Sequence, residues 1–396
     1  MNACFPVGDR WKMNVLEDFQ GYQDEIRALA SQYVAPHAAA IDREERIPAH
    51  VVTALAKAGL FASGLPEQFG GLPASDGDPV AAAIRHGLMH EALGAASASV
   101  QGLVNVHHMA GSAIARWGTV EQKRFWIPRL ASGDVLAAIA ITEPNVGSDA
   151  SAVETRASRA GSGYLLSGDK SWITCGQSAD LFVLLASSDE GPLAFIVPRS
   201  TPGLQFEPIN GMLGCRGYMM AKLRLDRCEM APDHALGSAP FGLTHIVATG
   251  LDAGRYNLAW GCVGLARACL DAAFEYSRTR RQFGSPLSEF QLVQRMISRM
   301  MTDIHAAHLV CWRAGYSRGR RETTAIKETT MAKYFASQMV NRVAHDALQI
   351  HGANGCGPDY PLERYARDAR IMEIIEGSTQ ILEIAIARYG YQEHLS

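Results

Sequence analysis

The chain has 396 residues, 47% of them hydrophobic, and its 37 basic and 40 acidic side chains leave a net charge of −3. That length calls for roughly two or three domains with ample apolar material to bury, and the absence of any Lys/Arg stripe excludes nucleic acid as the expected partner, because phosphate neutralisation needs clustered cations. The eight Cys, with no CxxC pair and no His at ligand spacing, read as buried, reduced thiols and neither a disulfide frame nor a metal site; with no span-length apolar window and no signal-peptide core, a soluble cytoplasmic protein is expected.

Helical periodicity dominates the first third. Residues 14–35 carry Val15, Phe19, Tyr22, Ile26, Leu29 and Tyr33 on one face until Pro36 stops the pattern. A second helix is predicted over 48–59, between a first-turn proline and a terminal glycine. After a Gly/Pro-rich loop at 64–79, three further helices are predicted over 80–93, 97–117 and 120–131. On the second of these, His107 and His108 sit near Gln101 and Asn105; such residues suit a polar cavity wall, but a hydrogen-bonded core is the simpler reading.

At Gly133 the period changes. Short β-branched and aromatic runs at 135–141, 164–167, 181–186, 193–197 and 204–209, and the strict alternation of Lys222-Leu223-Arg224-Leu225-Asp226, predict a small antiparallel barrel or sandwich. Helix returns after Gly242 in four long pieces, 243–280, 287–319, 323–351 and 361–389, which make a bundle. The predicted architecture is α+β: an N-terminal helical domain (1–132), a middle β-barrel domain (133–242) and a C-terminal four-helix bundle (243–396).

Four stretches in this frame can carry chemistry. In Ile374-Ile375-Glu376-Gly377 a carboxylate sits among apolar residues, a setting that raises its pKa towards that of a useful general base; on this stretch alone, an acid placed at the start of a helix over 378–389 is the simpler reading. Thr142, Ser148 and the exposed amides of the turn at 141–149 offer neutral donors to a ring carbonyl or a phosphate, as an ordinary hairpin turn also would. In Lys170-Ser171-Trp172-Ile173-Thr174, an aromatic and a hydroxyl two apart on a strand face one way and suit a planar ring, while a core tryptophan suits the pattern equally. The block 280–294, with Arg280, Phe283, Gln291 and Gln294, pairs with Gln349, Gly352 and Ala353 to offer a cation and amides to a pyrophosphate and an adenosine. No GxGxxG follows a strand, so a Rossmann site is disfavoured.

Taken in order and at their spacings, 141–149, 280–294 and 349–380, including Glu363-Arg364-Tyr365-Ala366-Arg367-Asp368-Ala369-Arg370, resemble the acyl-CoA dehydrogenases over nearly the whole chain. The resemblance implies an FAD flavoprotein, normally a homotetramer, that oxidises an acyl thioester to its 2,3-enoyl form. It implies Glu376 as the base that takes the α-proton while the β-hydrogen leaves as hydride to the flavin, with the Glu376 amide and a flavin hydroxyl facing the enolate oxygen. In some members the base lies on an earlier helix, at the position of Gly254 here, which has no acceptor. Arg255 resembles the arginine that supports the base's region, and Asp252 the residue that bonds the pantetheine arm. Thr142 and Thr174 resemble ligands of the flavin ring, with Trp172 packed on it. Ser148 resembles a residue near the cofactor phosphates or the thioester arm. Arg280, Phe283, Gln291, Gln349, Gly352 and Ala353 match positions that hold FAD pyrophosphate and adenosine across a subunit boundary, and Ser378 and Gln380 the adenosine end.

Several positions depart from the family's commonest pattern: Ala353 replaces a second glycine, Cys356 an aromatic, and Ser378-Thr379 follow Glu376-Gly377. With 106–109 and 214–217, these resemble the branch found in polyketide and nonribosomal peptide pathways, whose substrates are often tethered to a carrier protein, so the thioester expected is either an acyl-CoA or an acyl carrier protein. An electron-transferring flavoprotein is the family's usual electron acceptor. The rival readings are an oxygen-using oxidase or flavin monooxygenase on the same scaffold, and a non-catalytic binding protein. A retained Glu376 argues against the monooxygenase, and the retained base and phosphate-side residues argue against the binding protein.

Overall fold

The computed structural model describes residues 19–73 and 77–395, so the expectations placed on Val15 and Cys4 fall outside the described residues. Helix α1 (Gln20–Tyr33) turns Ile26 and Ala30 inward and ends before Pro36. A seven-residue helix, α2 (Ala38–Glu44), follows it; periodicity did not reveal this helix, which is too short to repeat a face more than once. Then come α3 (Ala49–Lys57), α4 (Pro79–Ala96), α5 (Ala98–Trp117) and α6 (Val120–Ser132). Their starts are locally encoded: Asp78 and Ser97 accept backbone N–H groups of the first turns of α4 and α5, and Thr119 forms a capping box with Gln122 at α6. Helix α5 is buried along nearly its whole length.

The strands β1 (Ala137–Ala140), β2 (Arg156–Ala160), β3 (Gly163–Ile173), β4 (Leu181–Ala186), β5 (Leu193–Pro198), β6 (Leu204–Pro208), β7 (Ala221–Met230) and β8 (Ala235–Leu236) form two four-stranded sheets, not one closed barrel. The orders are β1-β4-β5-β8 and β2-β3-β7-β6. Tyr164 against Phe195 and Phe182 against Phe206 pack one sheet on the other. Strands β1 and β4 pair in parallel, a departure from the all-antiparallel expectation; the long excursion through β2 and β3 supplies the crossover that parallel pairing needs. Both strands are buried on both faces, hence their unbroken apolar runs, whereas β7 alternates buried and exposed residues.

The C-terminal part holds α7 (Ala248–Thr279), α8 (Gln291–Gly319), α9 (Ala325–His351), α10 (Leu362–Met372) and α11 (Thr379–Leu395). A small hairpin, β9 (Arg281–Gln282) and β10 (Ser285–Pro286), links α7 to α8. The single helix expected over 361–389 is two. Glu376 (φ +56°) and Gly377 (φ +90°) lie between them, and consecutive positive φ values cannot continue a right-handed helix. One core joins the N-terminal helices to both sheets, and a second is built from the C-terminal helices with Ile84 and Leu88 of α4. No helix among the described residues is long and apolar enough to cross a membrane. Six described cysteines are buried free thiols, but Cys356, in the turn after α9, is exposed and corrects the uniform burial expected of them.

Candidate active site

The break between α10 and α11 is a turn held by two cations from other helices. Arg255 on α7 donates Nε–H to the Glu376 carbonyl at 3.0 Å, and Lys333 on α9 donates from Nζ to the Gly377 carbonyl at 2.7 Å. These bonds fix a left-handed conformation that costs a non-glycine residue about 1–2 kcal/mol. They also aim the side chain. A Cβ built on Gly254 would lie 2.6 Å from Glu376 Oε2 and 2.7 Å from Met109 Sδ. The carboxylate therefore occupies the volume that a side chain at 254 would need. Asn105 Nδ2 on α5 donates to Oε1 at 3.4 Å.

The electrostatics follow from that placement. Glu376 as a residue is half-buried, but its Oε2 is sealed from water and has no partner. Burial raises the carboxyl to about 7, against the opposing pull of Arg255, then Lys333 and the Asn105 hydrogen bond. Lys333 is fully buried, and burial lowers it to about 8 while Cys262 and Glu376 act the other way. The Glu376 N–H makes no hydrogen bond to the described residues and is free to donate. A solvated charge at a helix start would show none of these features.

A buried ion pair brings two of the other stretches together. Lys170 on β3 reaches Glu143 Oε1 at 2.7 Å and the Ile141 carbonyl at 3.1 Å, with both side chains essentially excluded from water. Glu143 also accepts the Glu154 and Thr155 amides. Burial works against its charge, but Lys170 and these donors hold its carboxyl below the usual range, and burial draws Lys170 down to about 8. Beside the pair, Ser171 N–H donates to the Thr142 carbonyl at 2.8 Å, so Thr142 lies next to Trp172. Trp172 and Thr174 do not share the face of a regular strand as expected. The β3–β7 register shifts between Lys170 and Ile173, Trp172 has φ +58°, and β3 ends at Ile173. This bulge leaves the indole 54% exposed, against the core-tryptophan reading. The hydroxyls of Thr142 and Thr174 are uncommitted within the described residues. The exit of β1 also abuts the start of α7: Ile139 Cδ1 is 2.9 Å from a Cβ built on Gly250, one helical turn before Gly254.

The remaining expected residues divide into paired and open. Asp252 Oδ2 is taken by Arg318 at 2.5 Å, which leaves Oδ1 shielded and without a partner. Ser148, Arg280, Gln291, Gln349, Gly352, Ala353 and Gln380 are exposed and Ser378 is half-buried. Phe283, at the tip of the β9–β10 hairpin, is 96% exposed. A groove of about 360 Å³ lined by Ser277, Arg278, Ser288, Val293 and Gln294 lies at this end of α7 and α8.

Residues 17–134, 138–228 and 242–390 match, in that order, the family models for the acyl-CoA dehydrogenase N-terminal, middle and C-terminal domains. The chain belongs to the acyl-CoA dehydrogenase family. It is an oxidoreductase of the kind that acts on CH–CH groups, and members of the family bind FAD. Human mitochondrial short-chain specific acyl-CoA dehydrogenase is 36% identical over 386 residues, 96% of this chain and 92% of the relative. Among solved structures, a glutaryl-CoA dehydrogenase from Mycobacterium smegmatis in complex with FADH2 superimposes with TM-score 0.87 at 26% identity, over 94% of each chain. FkbI, described for biosynthesis of the methoxymalonyl extender unit of the Fk520 polyketide, gives 0.84 at 31% identity, over 92% of this chain and 99% of its own. The prolyl acyl carrier protein oxidase AnaB gives 0.88 at 26%, over 96% and 99%.

Within this acyl-CoA dehydrogenase fold, the sequence reading missed Lys333, the Glu143–Lys170 pair and the contact between Asn105 and Glu376. Lys333 alone had a local signal, a charge among the buried positions Thr329, Ala332, Ala336 and Val340 of α9. His107 is a core residue, bonded to the Leu130 carbonyl and the Ala137 amide. One ring nitrogen from each of His86, His90 and His108 lies within 4.8 Å of the others. The rings bond to Ser63, Asn257, Gln101, the Leu60 carbonyl and one another, and burial keeps all three well below the usual histidine range.

Proposed function

We propose that this chain oxidises an acyl thioester to the 2,3-enoyl thioester with Glu376 as the base. The observation that carries the reading is the Glu376 carboxylate, lodged in the empty side-chain volume of Gly254 with one oxygen dry and unpaired and its pKa near 7. A thioester α-C–H is a very weak acid, so a base in a dry site needs a donor set for the enolate oxygen as well. The free Glu376 N–H supplies one. Arg255 and Lys333 hold the turn in register, and their charges favour the ionised form of the carboxyl.

FAD, when bound, accepts the β-hydrogen as hydride. The exposed Trp172 and the free hydroxyls of Thr142 and Thr174 fit a planar, hydrogen-bonding ring system. Ser148 lies on the same loop, towards the phosphates or thioester arm. Arg280, Phe283, Gln291, Gln349, Gly352 and Ala353 serve the pyrophosphate and adenosine of a neighbouring subunit's cofactor in a homotetramer, with Ser378 and Gln380 at the adenosine end; the bare Phe283 tip supports an occupant from outside the chain. Asp252 offers its unpaired Oδ1 to the pantetheine arm.

The tether is a carrier protein and the setting is secondary metabolism. Support comes from the departures at Ala353 and Cys356 and from the likeness to the polyketide and carrier-protein proteins above. An electron-transferring flavoprotein takes the electrons. Anaerobic mixing with thioesters tests the chemistry, since loss of the flavin's visible band is expected and an unbleached flavin across a broad thioester panel refutes it. Turnover on acyl-pantetheinyl carrier protein against the matching acyl-CoA tests the tether, and a strong preference for free CoA esters removes it. Peroxide formation without an added acceptor would mark an oxidase.

A further inference from the structure

Asn105 is 2% exposed, yet its side-chain carbonyl Oδ1 has no hydrogen-bond partner. Its orientation is determined by Glu376. In the ionised form that takes up a proton, the carboxylate only accepts, so the amide there turns Nδ2–H towards Glu376 Oε1 and the carbonyl is left facing away. Leaving such an acceptor buried and unpaired costs about 1–3 kcal/mol, and native proteins rarely do so without a partner. The neighbouring positions are polar too. One helical turn earlier on α5, Gln101 (1% exposed) contacts His90 Nδ1 at 3.3 Å and the Asn257 carbonyl at 3.2 Å. It closes the seam against Gly261, where a built Cβ would be 2.8 Å from its side chain. Beyond the base and Met109, the α5–α7 seam is therefore closed by Gln101 amid amides and an imidazole, a poor setting for a long alkyl chain.

We infer that the acyl group this enzyme takes is short and carries a hydrogen-bond donor, a hydroxyl or an N–H, on its γ carbon, and that Asn105 Oδ1 accepts from it. The inference rests on Glu376 being the base. With its amide nitrogen on the carboxylate, Asn105 stands beside the carbon that loses its proton, so its carbonyl meets the next one or two carbons of the chain. The donor group is a spectator: the substrate still loses one α-proton and one β-hydride, and the substituent stays on the enoyl product. A site with a buried acceptor discriminates strongly against a substrate that leaves it unpaired.

The test compares anaerobic flavin reduction by 4-hydroxybutyryl-, 4-aminobutyryl-, butyryl- and octanoyl-pantetheine in the wild-type holoenzyme and in Asn105→Leu. Because Asn105 also touches the base, the variant slows every substrate; the ratio between substrates cancels that shared loss. The wild type is expected to favour one donor-bearing chain over butyryl by at least about 10-fold in kcat/KM, with octanoyl poorest, and Asn105→Leu to collapse the ratio towards one. The hydroxy and amino arms identify which donor is used. Equal or better use of butyryl by the wild type, or a ratio unchanged in Asn105→Leu, overturns the inference. Failure of every thioester to reduce the flavin overturns the dehydrogenation reading, a separate result.

Discussion

Gly254→Ala separates the placement of the base from the stability of the fold. The added methyl carbon would sit 2.6 Å from Glu376 Oε2 and 2.7 Å from Met109 Sδ. Ordinary contact begins near 3.4 Å, so the carboxylate oxygen must retreat by about 0.8 Å. The carboxylate oxygen ends a flexible side chain and the sulfur lies one carbon from the end of another, so the backbone need not move. Position 254 lies inside α7, where alanine is favoured over glycine by up to about 1 kcal/mol. Displacement of a reacting group by about 1 Å costs about 10²-fold in rate. Stopped-flow flavin reduction under anaerobic conditions should therefore slow about 100-fold while the visible flavin spectrum is kept and Tm is unchanged or higher. A rate within twofold of wild type would mean that this void does not position the reacting group. A fall in Tm with loss of flavin would mean that the void serves the fold.

Further outcomes follow from the same groups. Glu376→Gln should keep the flavin and lose dehydrogenation by at least about 10²- to 10⁴-fold; undiminished bleaching by substrate would remove the base from this position. Because burial raises the Glu376 carboxyl from 4.5 to about 7, the unfolded chain releases this proton first as pH rises. Stability is thus lost between about pH 4.5 and 7 and stays lost above, and Glu376→Gln should be more thermostable than wild type at pH 8, by roughly 1–3 kcal/mol, with the gap narrowing by pH 5. Lys333→Met removes a cation that lowers the same carboxyl, so the acid limb of the pH profile for flavin reduction should move to higher pH; a shift downward would contradict the placement. Lys170→Met strands the buried Glu143 carboxylate and should cost about 3–5 kcal/mol in unfolding experiments, most of it recovered in the Glu143→Gln/Lys170→Met double variant. A loss below about 1 kcal/mol would show that the pair is not dry.

The order of helices, strands and helices was legible because each segment's apolar period is local. The division of the strands between two sheets was not, since pairing β1 with β4 depends on where a long excursion returns and not on the composition of either strand. Glu376 drew notice as a carboxylate beside glycine in an apolar run, but that stretch alone favoured a helix-start acid, and its role as base came from the resemblance carried by 141–149, 280–294 and 349–380. The groups that hold and tune it were hidden by distance along the chain, Asn105 lying 271 residues away and Lys333 44 from its acceptor at Gly377. Trp172 was singled out, but its outward turn needed the bulge, which appears only when β3 is laid against β7.

Gly254 on α7 and Glu376 in the turn between α10 and α11 compete for one carboxylate-sized space. Either chain position can therefore deliver an acid to the same point, which accounts physically for relatives that carry it on the earlier helix. The arrangement is exclusive: glutamates at both would force two like charges into a single dry compartment, and one would have to retain its proton or swing away. Moving the acid between the turn and α7 thus requires a coupled exchange, with the old position vacated as the new one is filled.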